Sequence, residues 1–81
     1  MALILSIHAA EGLKVRNLQL DWIEHTIRAP ERTGPDPRQP DLTRSYRVIP
    51  EAGGRVLRVV HRLHGDDILV VTAFFDRGAR R

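Results

Sequence analysis

Arginine is the residue type most able to bind a ligand in this 81-residue chain, which has thirteen Lys and Arg residues, ten carboxylates and no cysteine. Only one of the thirteen, Lys14, is a lysine. A guanidinium group stays charged and grips phosphate or carboxylate through a planar fork. The basic excess lies in residues 44–81, which carry eight arginines against four acids, whereas residues 1–43 are close to neutral. This distribution favours a phosphate-bearing or acidic partner, although an arginine-rich composition alone specifies function weakly.

The sharpest prediction comes from residues 55–63, where apolar and polar side chains alternate and indicate a β-strand. Arg58 and Arg62 then share one face of that strand. A neighbouring strand adds either Tyr46 or Arg47, depending on the register. Guanidinium groups beside an aromatic ring suit single-stranded RNA, although an arginine at every second position is also typical of a solvated sheet face. The candidate nucleic-acid-binding residues are Tyr46, Arg47, Arg58, Arg62, Arg80 and Arg81.

The four histidines do not have the spacing of a metal site, and we predict no metal and no cofactor. His8 lies at the start of the first predicted helix. His61 alternates onto the core face of its strand, where it is either a hydrogen-bonded buried imidazole or a general base, if one nitrogen reaches a substrate. Gly53 and Gly54 join two strands and open no helix, so they do not form a phosphate loop.

The N-terminal third predicts two helices. Residues 2–6 are a short apolar run that is either an edge strand or the lead-in to a helix. The first helix should end near Arg16, because Asn17 tolerates the left-handed conformation that closes helices. The second should begin at residues 19–21 and end before Pro30, which disfavours helix at the preceding residue.

Residues 30–43 are rich in proline and charge and predict a surface loop. Three strands should follow, at residues 45–49, 55–63 and 68–75, and the last is apolar on both faces and therefore central. We expect a single α+β domain over residues 1–81, with two N-terminal helices on one face of an antiparallel sheet of three or four strands, and a basic tail at 76–81. No stretch is long and apolar enough for a membrane span, and we expect a cytoplasmic protein.

The order of these motifs resembles a known family. Residues 6–11 (Ser-Ile-His-Ala-Ala-Glu), the second helix ending at Pro30, and the strand pair at 55–61 and 67–74 are similar to a small bacterial domain of unknown function, family 4258. That family in turn resembles the RelE and BrnT type of toxins, compact α+β proteins whose best-known members cut messenger RNA. The resemblance implies a RelE-like fold over nearly all of the chain outside the proline-rich segment.

The resemblance also implies site residues. Arg58 matches an arginine on the middle strand of such toxins, where it would stabilise charge on the phosphate as the 2′-hydroxyl attacks, without a metal. Arg77 falls where another basic residue is often found, and His8 matches the family histidine. With His61 as the candidate base, the predicted catalytic residues are Arg58, Arg77, His8 and His61.

Two functions follow as expectations. The first is an RNA-binding domain of the toxin–antitoxin type with metal-independent endoribonuclease activity. The second is a non-catalytic interaction module, in which the arginine face binds an acidic antitoxin-like protein, or the sheet pairs with a second copy to form a homodimer.

Overall fold

Two α-helices and one five-stranded sheet are formed by residues 2–79, the part of the chain that the computed structural model describes. In chain order the elements are β1 (Leu3–Leu5), α1 (Ile7–Val15), α2 (Leu20–Arg28), β2 (Arg32–Pro35), β3 (Thr43–Ile49), β4 (Arg55–His64) and β5 (Asp67–Phe75). A short 3-10 helix, Pro50–Ala52, lies between β3 and β4. The α+β class and the two N-terminal helices are therefore confirmed. Within residues 2–79 neither helix is long and apolar enough to cross a membrane.

Ser6 determines where the first strand ends and the first helix begins. Its hydroxyl oxygen accepts a hydrogen bond from the backbone N–H of Ala9 at 3.0 Å, which caps α1, and its hydroxyl donates to the carbonyl of Val71 at 2.7 Å. The helix closes through Asn17, which adopts a left-handed conformation with φ of 57°, as predicted. The helix α2 ends with Ala29 as its C-cap, directly before Pro30.

The sheet is larger than predicted and is mixed rather than antiparallel. Its strand order is β1-β5-β4-β3-β2, and β1 pairs with β5 in parallel. The apolar run at residues 2–6 is thus an edge strand and not a helix lead-in. The strand β4 is the middle one of the five, whereas β5, predicted to be central, lies between β1 and β4.

The predicted surface loop at residues 30–43 contains a strand. Residues Arg32–Pro35 form β2, which pairs antiparallel with β3 at the far edge of the sheet. Gly34 and Pro35 weaken the strand pattern in the sequence, but an edge strand tolerates proline because one side of its backbone needs no partner. Residues 36–42 remain as the loop, and its last residue, Leu42, is buried.

Both helices cover the same face of the sheet, which we call the helix face. Ile23 of α2 and Leu57, Val59 and Val70 of the sheet are fully buried there. The burial of Leu57 and Val59 confirms which face of β4 forms the core. Against His61 and Val60 of β4, the strand β5 has one additional residue, Val71, so that Val70 and Ala73 both reach the helix face.

The opposite face, which we call the open face, carries Val48 and Val60, and both are buried although neither belongs to the core beneath the helices. Three arginines surround Val60 on this face. Arg44 is its cross-strand partner on β3, and Arg58 and Arg62 lie two residues before and after it on β4. Long basic side chains cover apolar surface with their aliphatic stems while their charged ends reach water. The arginines of this face therefore shield its apolar residues as well as charging it.

Candidate nucleic-acid interface

A row of alternating cations and aromatic rings crosses four strands of the open face. The register pairs Arg32 with Tyr46, Tyr46 with Arg58, and Arg58 with Phe74. Directly opposed residues in a sheet have Cβ atoms about 5 Å apart, so each side chain in this row can contact the next. We call these four residues the cation–ring row.

Distances within the row fit cation–π contacts. The guanidinium carbon of Arg32 lies 4.2 Å from the centroid of the Tyr46 ring. The guanidinium carbon of Arg58 lies 4.4 Å from the centroid of Phe74 and 6.0 Å from that of Tyr46. Contacts of this kind contribute about 0.5–2 kcal/mol, with the larger values where the cation is desolvated. The row is therefore partly preorganised by its own side chains.

Arg58 is also paired with a carboxylate. Its Nη2 lies 2.8 Å from Oδ2 of Asp76, and the two side chains are only 16% and 17% exposed. Its Nε–H is buried and has no acceptor among residues 2–79. Arg58 is thus the most tightly held cation of the open face.

Asp76 connects Arg58 to the turn that follows β5. Its Oδ1 accepts hydrogen bonds from the backbone N–H groups of Gly78 at 2.8 Å and Ala79 at 3.2 Å. Both carboxylate oxygens of Asp76 are therefore in use, and the turn that carries Arg77 is fixed to the middle strand through Arg58. Arg77 itself is exposed.

The register selects Tyr46 rather than Arg47 for the open face. Arg47 is opposite Leu57, so it belongs to the helix face, where its Nη1 donates to the carbonyl of Ala29 at 2.6 Å. The sequence placed Arg47 among the nucleic-acid-binding residues, and the structure does not bring it to their surface. Arg62 does lie on the open face, about 13 Å along β4 from Arg58 by strand geometry. Arg80 and Arg81 lie outside the described residues.

The predicted catalytic residues do not form one site. His61 faces the helices, and its Nε2 lies 2.8 Å from the hydroxyl of Ser45, which is almost fully buried. His8 is exposed on α1, also on the helix side of the sheet. Arg58 is on the open face, and Arg77 directly follows Asp76, the carboxylate partner of Arg58. The geometry therefore brings Arg58 and Arg77 to the same end of the sheet and leaves both histidines on the other side.

Burial lowers the pKa of His61 below its ordinary value of 6.5. The neutral imidazole is consequently the favoured form in the folded protein. His61 is thus a half-buried imidazole on the helix face, hydrogen-bonded to Ser45, and its use as a general base stays a prediction.

A second group of arginines lines a groove of about 480 Å³ at the end of the sheet, and of these the sequence singled out only Arg77. Its lining residues are Arg16, Arg55, Arg77, Phe74 and Phe75. We call this feature the arginine groove. Phe74 belongs to both the groove and the cation–ring row, so the two features are continuous. Within residues 2–79 no carboxylate lies within 4 Å of the guanidinium groups of Arg16, Arg55 or Arg77.

Three different elements supply the arginines of the groove, which explains why the sequence did not reveal it. Arg16 is the C-cap of α1, Arg55 is the first residue of β4, and Arg77 follows β5. Only the packing of α1 against β5 brings them together. One local feature does point to Arg55. It lies two residues from Leu57 on β4 and therefore shares the face of Leu57 and of its cross-strand partner Phe75.

Acidic residues and histidines do not create a metal centre in the described part of the chain: no group of three or more potential ligands occurs there.

Comparison with known protein families places this chain in one of them. The family model "Domain of unknown function (DUF4258)" matches residues 5–75. The chain belongs to this family. The match spans both helices and the strands β2 to β5, with only Leu5 of β1, and it includes Tyr46, Arg58 and Phe74. Neither the curated proteins nor the solved structures gave a significant match to this chain.

The pair of Arg58 and Asp76 predicts a measurable loss of stability. Replacing Asp76 by Asn keeps the shape but removes the charge, and should lower the free energy of unfolding by about 1.5–3 kcal/mol, the typical contribution of a hydrogen bond to a charged group. Urea unfolding followed by circular dichroism measures this. The matched control is Glu24→Gln, which breaks the exposed pair with Arg28 and should cost less than about 1 kcal/mol. An equal decrease in the free energy of unfolding in the two variants would contradict the claim that the pair of Arg58 and Asp76 stabilises the fold more than an exposed pair does.

The half-buried His61 predicts lower stability in acid. Its folded-state pKa is below the unfolded value, so the unfolded chain binds a proton first as the pH falls through about 6.5, and the folded state is destabilised from there downward. We expect the free energy of unfolding to decrease from pH 7.5 to pH 5.5 more in the wild-type protein than in His61→Gln. Parallel pH profiles for the two proteins would exclude His61 as a source of acid sensitivity.

Proposed function

We propose that this DUF4258 domain binds single-stranded RNA across its open face, with the cation–ring row at the centre of the surface. The observation that carries the proposal is the alternation of Arg32, Tyr46, Arg58 and Phe74 across four adjacent strands. Nucleic-acid surfaces of this kind need cations for the phosphates and rings for the bases. Both are present here in one row.

The individual residues of the surface have different roles in this proposal. Arg32 is exposed, and Arg62 is partly exposed with its Nη1 bonded to the carbonyl of Leu63 at 3.2 Å, so both are positioned to contact phosphates. Tyr46 and Phe74 are partly buried and offer ring surface for base stacking. Arg58 is bonded to Asp76 and acts mainly by orienting the two rings.

Charge on the open face also supports an anionic partner. Of its arginines, Arg44 is paired with Asp36 at 3.1 Å and Arg58 with Asp76, whereas Arg32 and Arg62 have no carboxylate within 4 Å among residues 2–79. The pKa of Asp36 is lowered by the backbone N–H groups of Arg38 and Gln39 and by Arg44, so Asp36 stays charged. The two remaining cations give the face a net positive charge.

The RelE and BrnT toxins, which the family resembles, place two helices before an antiparallel sheet. The two helices before β2 to β5 fit that order, whereas the parallel edge strand β1 departs from it. A metal-independent ribonuclease activity would require Arg58 to exchange Asp76 for a phosphate of the substrate. It would also require a proton acceptor other than His61 or His8, because both lie on the helix side. The proposal is accordingly RNA binding, with cleavage as a secondary activity to be measured in the same experiment.

The test is the salt dependence of binding to a labelled single-stranded RNA, followed by fluorescence anisotropy. Each phosphate contact contributes about −0.7 to the slope of log affinity against log salt concentration. Arg32→Gln and Arg62→Gln should each weaken binding and reduce the slope by about that amount. Gel analysis of the same RNA after incubation measures cleavage.

The matched control is Arg28→Gln, which removes one exposed arginine from α2 on the helix side. It should leave the affinity and the slope nearly unchanged. A flat salt dependence in the wild-type protein would overturn the proposal, as would an equal loss of affinity in Arg28→Gln and Arg62→Gln.

Self-association is a second candidate, favoured by the edge strand β1. This strand pairs with β5 on one side, and Ile4 and the adjacent Ile7 are 37% and 81% exposed. An edge strand with exposed apolar residues can pair with another copy of itself. Light scattering over a range of protein concentrations distinguishes a homodimer from a monomer, and a strict monomer would remove this candidate.

A further inference from the structure

The arginine groove at the end of the sheet differs from the open face in how its cations are held. The groove is lined by Arg16, Arg55 and Arg77 together with Phe74 and Phe75, and none of the three arginines is paired with a carboxylate of residues 2–79. Asp76 directly precedes Arg77, but both of its carboxylate oxygens are engaged by Arg58, Gly78 and Ala79. The groove therefore presents concentrated positive charge.

The guanidinium of Arg55 is oriented by two contacts that leave its terminal N–H groups free to bind an anion. Its Nε donates to the carbonyl of Ala52 at 2.9 Å, and its guanidinium carbon lies 3.9 Å from the centroid of the Phe75 ring. These contacts fix the plane of the guanidinium while using only the Nε–H. An arginine that is oriented in advance loses less side-chain entropy when its terminal N–H groups bind a ligand.

Arg16 reaches the groove because residue 12 has no side chain. A Cβ atom at Gly12 would lie 2.5 Å from Nη1 of Arg16, so the guanidinium occupies the space that any larger residue would fill. Gly12 costs about 1 kcal/mol in a helix relative to alanine. The open space on α1 thus allows Arg16 to fold back toward β5.

The ligand that fits is set by charge and shape. Three guanidinium groups suit an anion with two negative charges and several acceptor oxygens, and a phosphate monoester has both near neutral pH. An internal phosphodiester has one charge. Phe74 borders the groove from the open face and Phe75 from the helix face. The volume of about 480 Å³ is within the range of small-molecule sites.

We propose that the arginine groove binds the terminal phosphate of a nucleotide, with the adjoining nucleoside toward Phe74 on the open face. This inference deepens the proposed function and rests on it for the rest of the ligand: the strand bound on the open face would have its phosphorylated end in the groove. The continuity of groove and face through Phe74 supports this placement.

The first test uses small ligands, so that it does not depend on RNA binding. Isothermal titration compares adenosine monophosphate, a dianionic monoester, with 3′,5′-cyclic adenosine monophosphate, a monoanionic diester with the same base and sugar. We expect the monoester to bind more tightly by at least about tenfold, the effect of one lost charge-assisted contact. Equal affinities would overturn the inference.

Variants of the groove identify the site. Arg55→Gln and Arg16→Gln should each weaken binding of the monoester by about tenfold. Arg38→Gln is the matched control, because Arg38 is an exposed arginine of the loop at 36–42 whose backbone N–H, and not its side chain, bonds to Asp36. Loss of binding in Arg38→Gln equal to that in Arg55→Gln would overturn the inference, and thermal unfolding verifies that each variant is folded.

The second test compares one RNA sequence with a 5′-phosphate, a 3′-phosphate or no terminal phosphate. We expect one of the two phosphorylated forms to bind about tenfold more tightly than the unphosphorylated form, and this preference to disappear in Arg55→Gln. If all three forms bind equally and the monoester does not bind, the inference fails while the proposed function stands. If the monoester binds and no RNA does, the groove stands as a nucleotide site and the proposed function fails.

Discussion

The open face depends on the interactions of the Arg58 guanidinium, which lies between two aromatic rings and is paired with the Asp76 carboxylate. This arrangement follows from the register that places Arg58 between Tyr46 and Phe74 on adjacent strands. A shift of one residue in either pairing would move a ring to the helix face. The same contact fixes the turn after β5 through Asp76, so the sheet register also determines where Arg77 lies.

The arginines of the open face and of the arginine groove consequently divide into two kinds. Arg44 and Arg58 are paired with carboxylates, and their stems lie over the apolar residues of a face that no helix covers. The arginines of the groove and of the outer positions on the open face are available to an external anion. Net charge alone does not distinguish these kinds, which is why a charge of +3 for the chain says little about which residues would bind a ligand.

Much of the fold was predictable because its signals are local. Asn17 and Pro30 gave the helix ends, and alternation in residues 55–63 gave both faces of the middle strand. The edge strand β2 was missed because Gly34 and Pro35 are typical of loops, and its pairing with β3 provides what its own sequence lacks. The choice of Tyr46 over Arg47 could not be made locally either, since register depends on the partner strand.

The candidate sites were less predictable than the fold. Arg58 was found from its strand position, but its partner Asp76 lies beyond the end of the next strand and showed no pattern in the sequence. Arg16 and Arg55 were missed because the helix C-terminus and the start of β4 meet only in three dimensions. The bond of His61 to Ser45 could not be predicted either. Residues that act through tertiary contacts need the structure.

The most direct measurement of the central claim is the response of individual arginine side chains to single-stranded RNA, observed through their Nε–H resonances by NMR. If the open face binds RNA as proposed, the Nε–H signals of Arg32 and Arg62 shift on titration, while those of Arg28 and Arg38 do not. The buried Nε–H of Arg58 should remain protected from exchange throughout. Shifts confined to Arg28 and Arg38, or an absence of shifts at Arg32 and Arg62 under saturating RNA, would contradict the account.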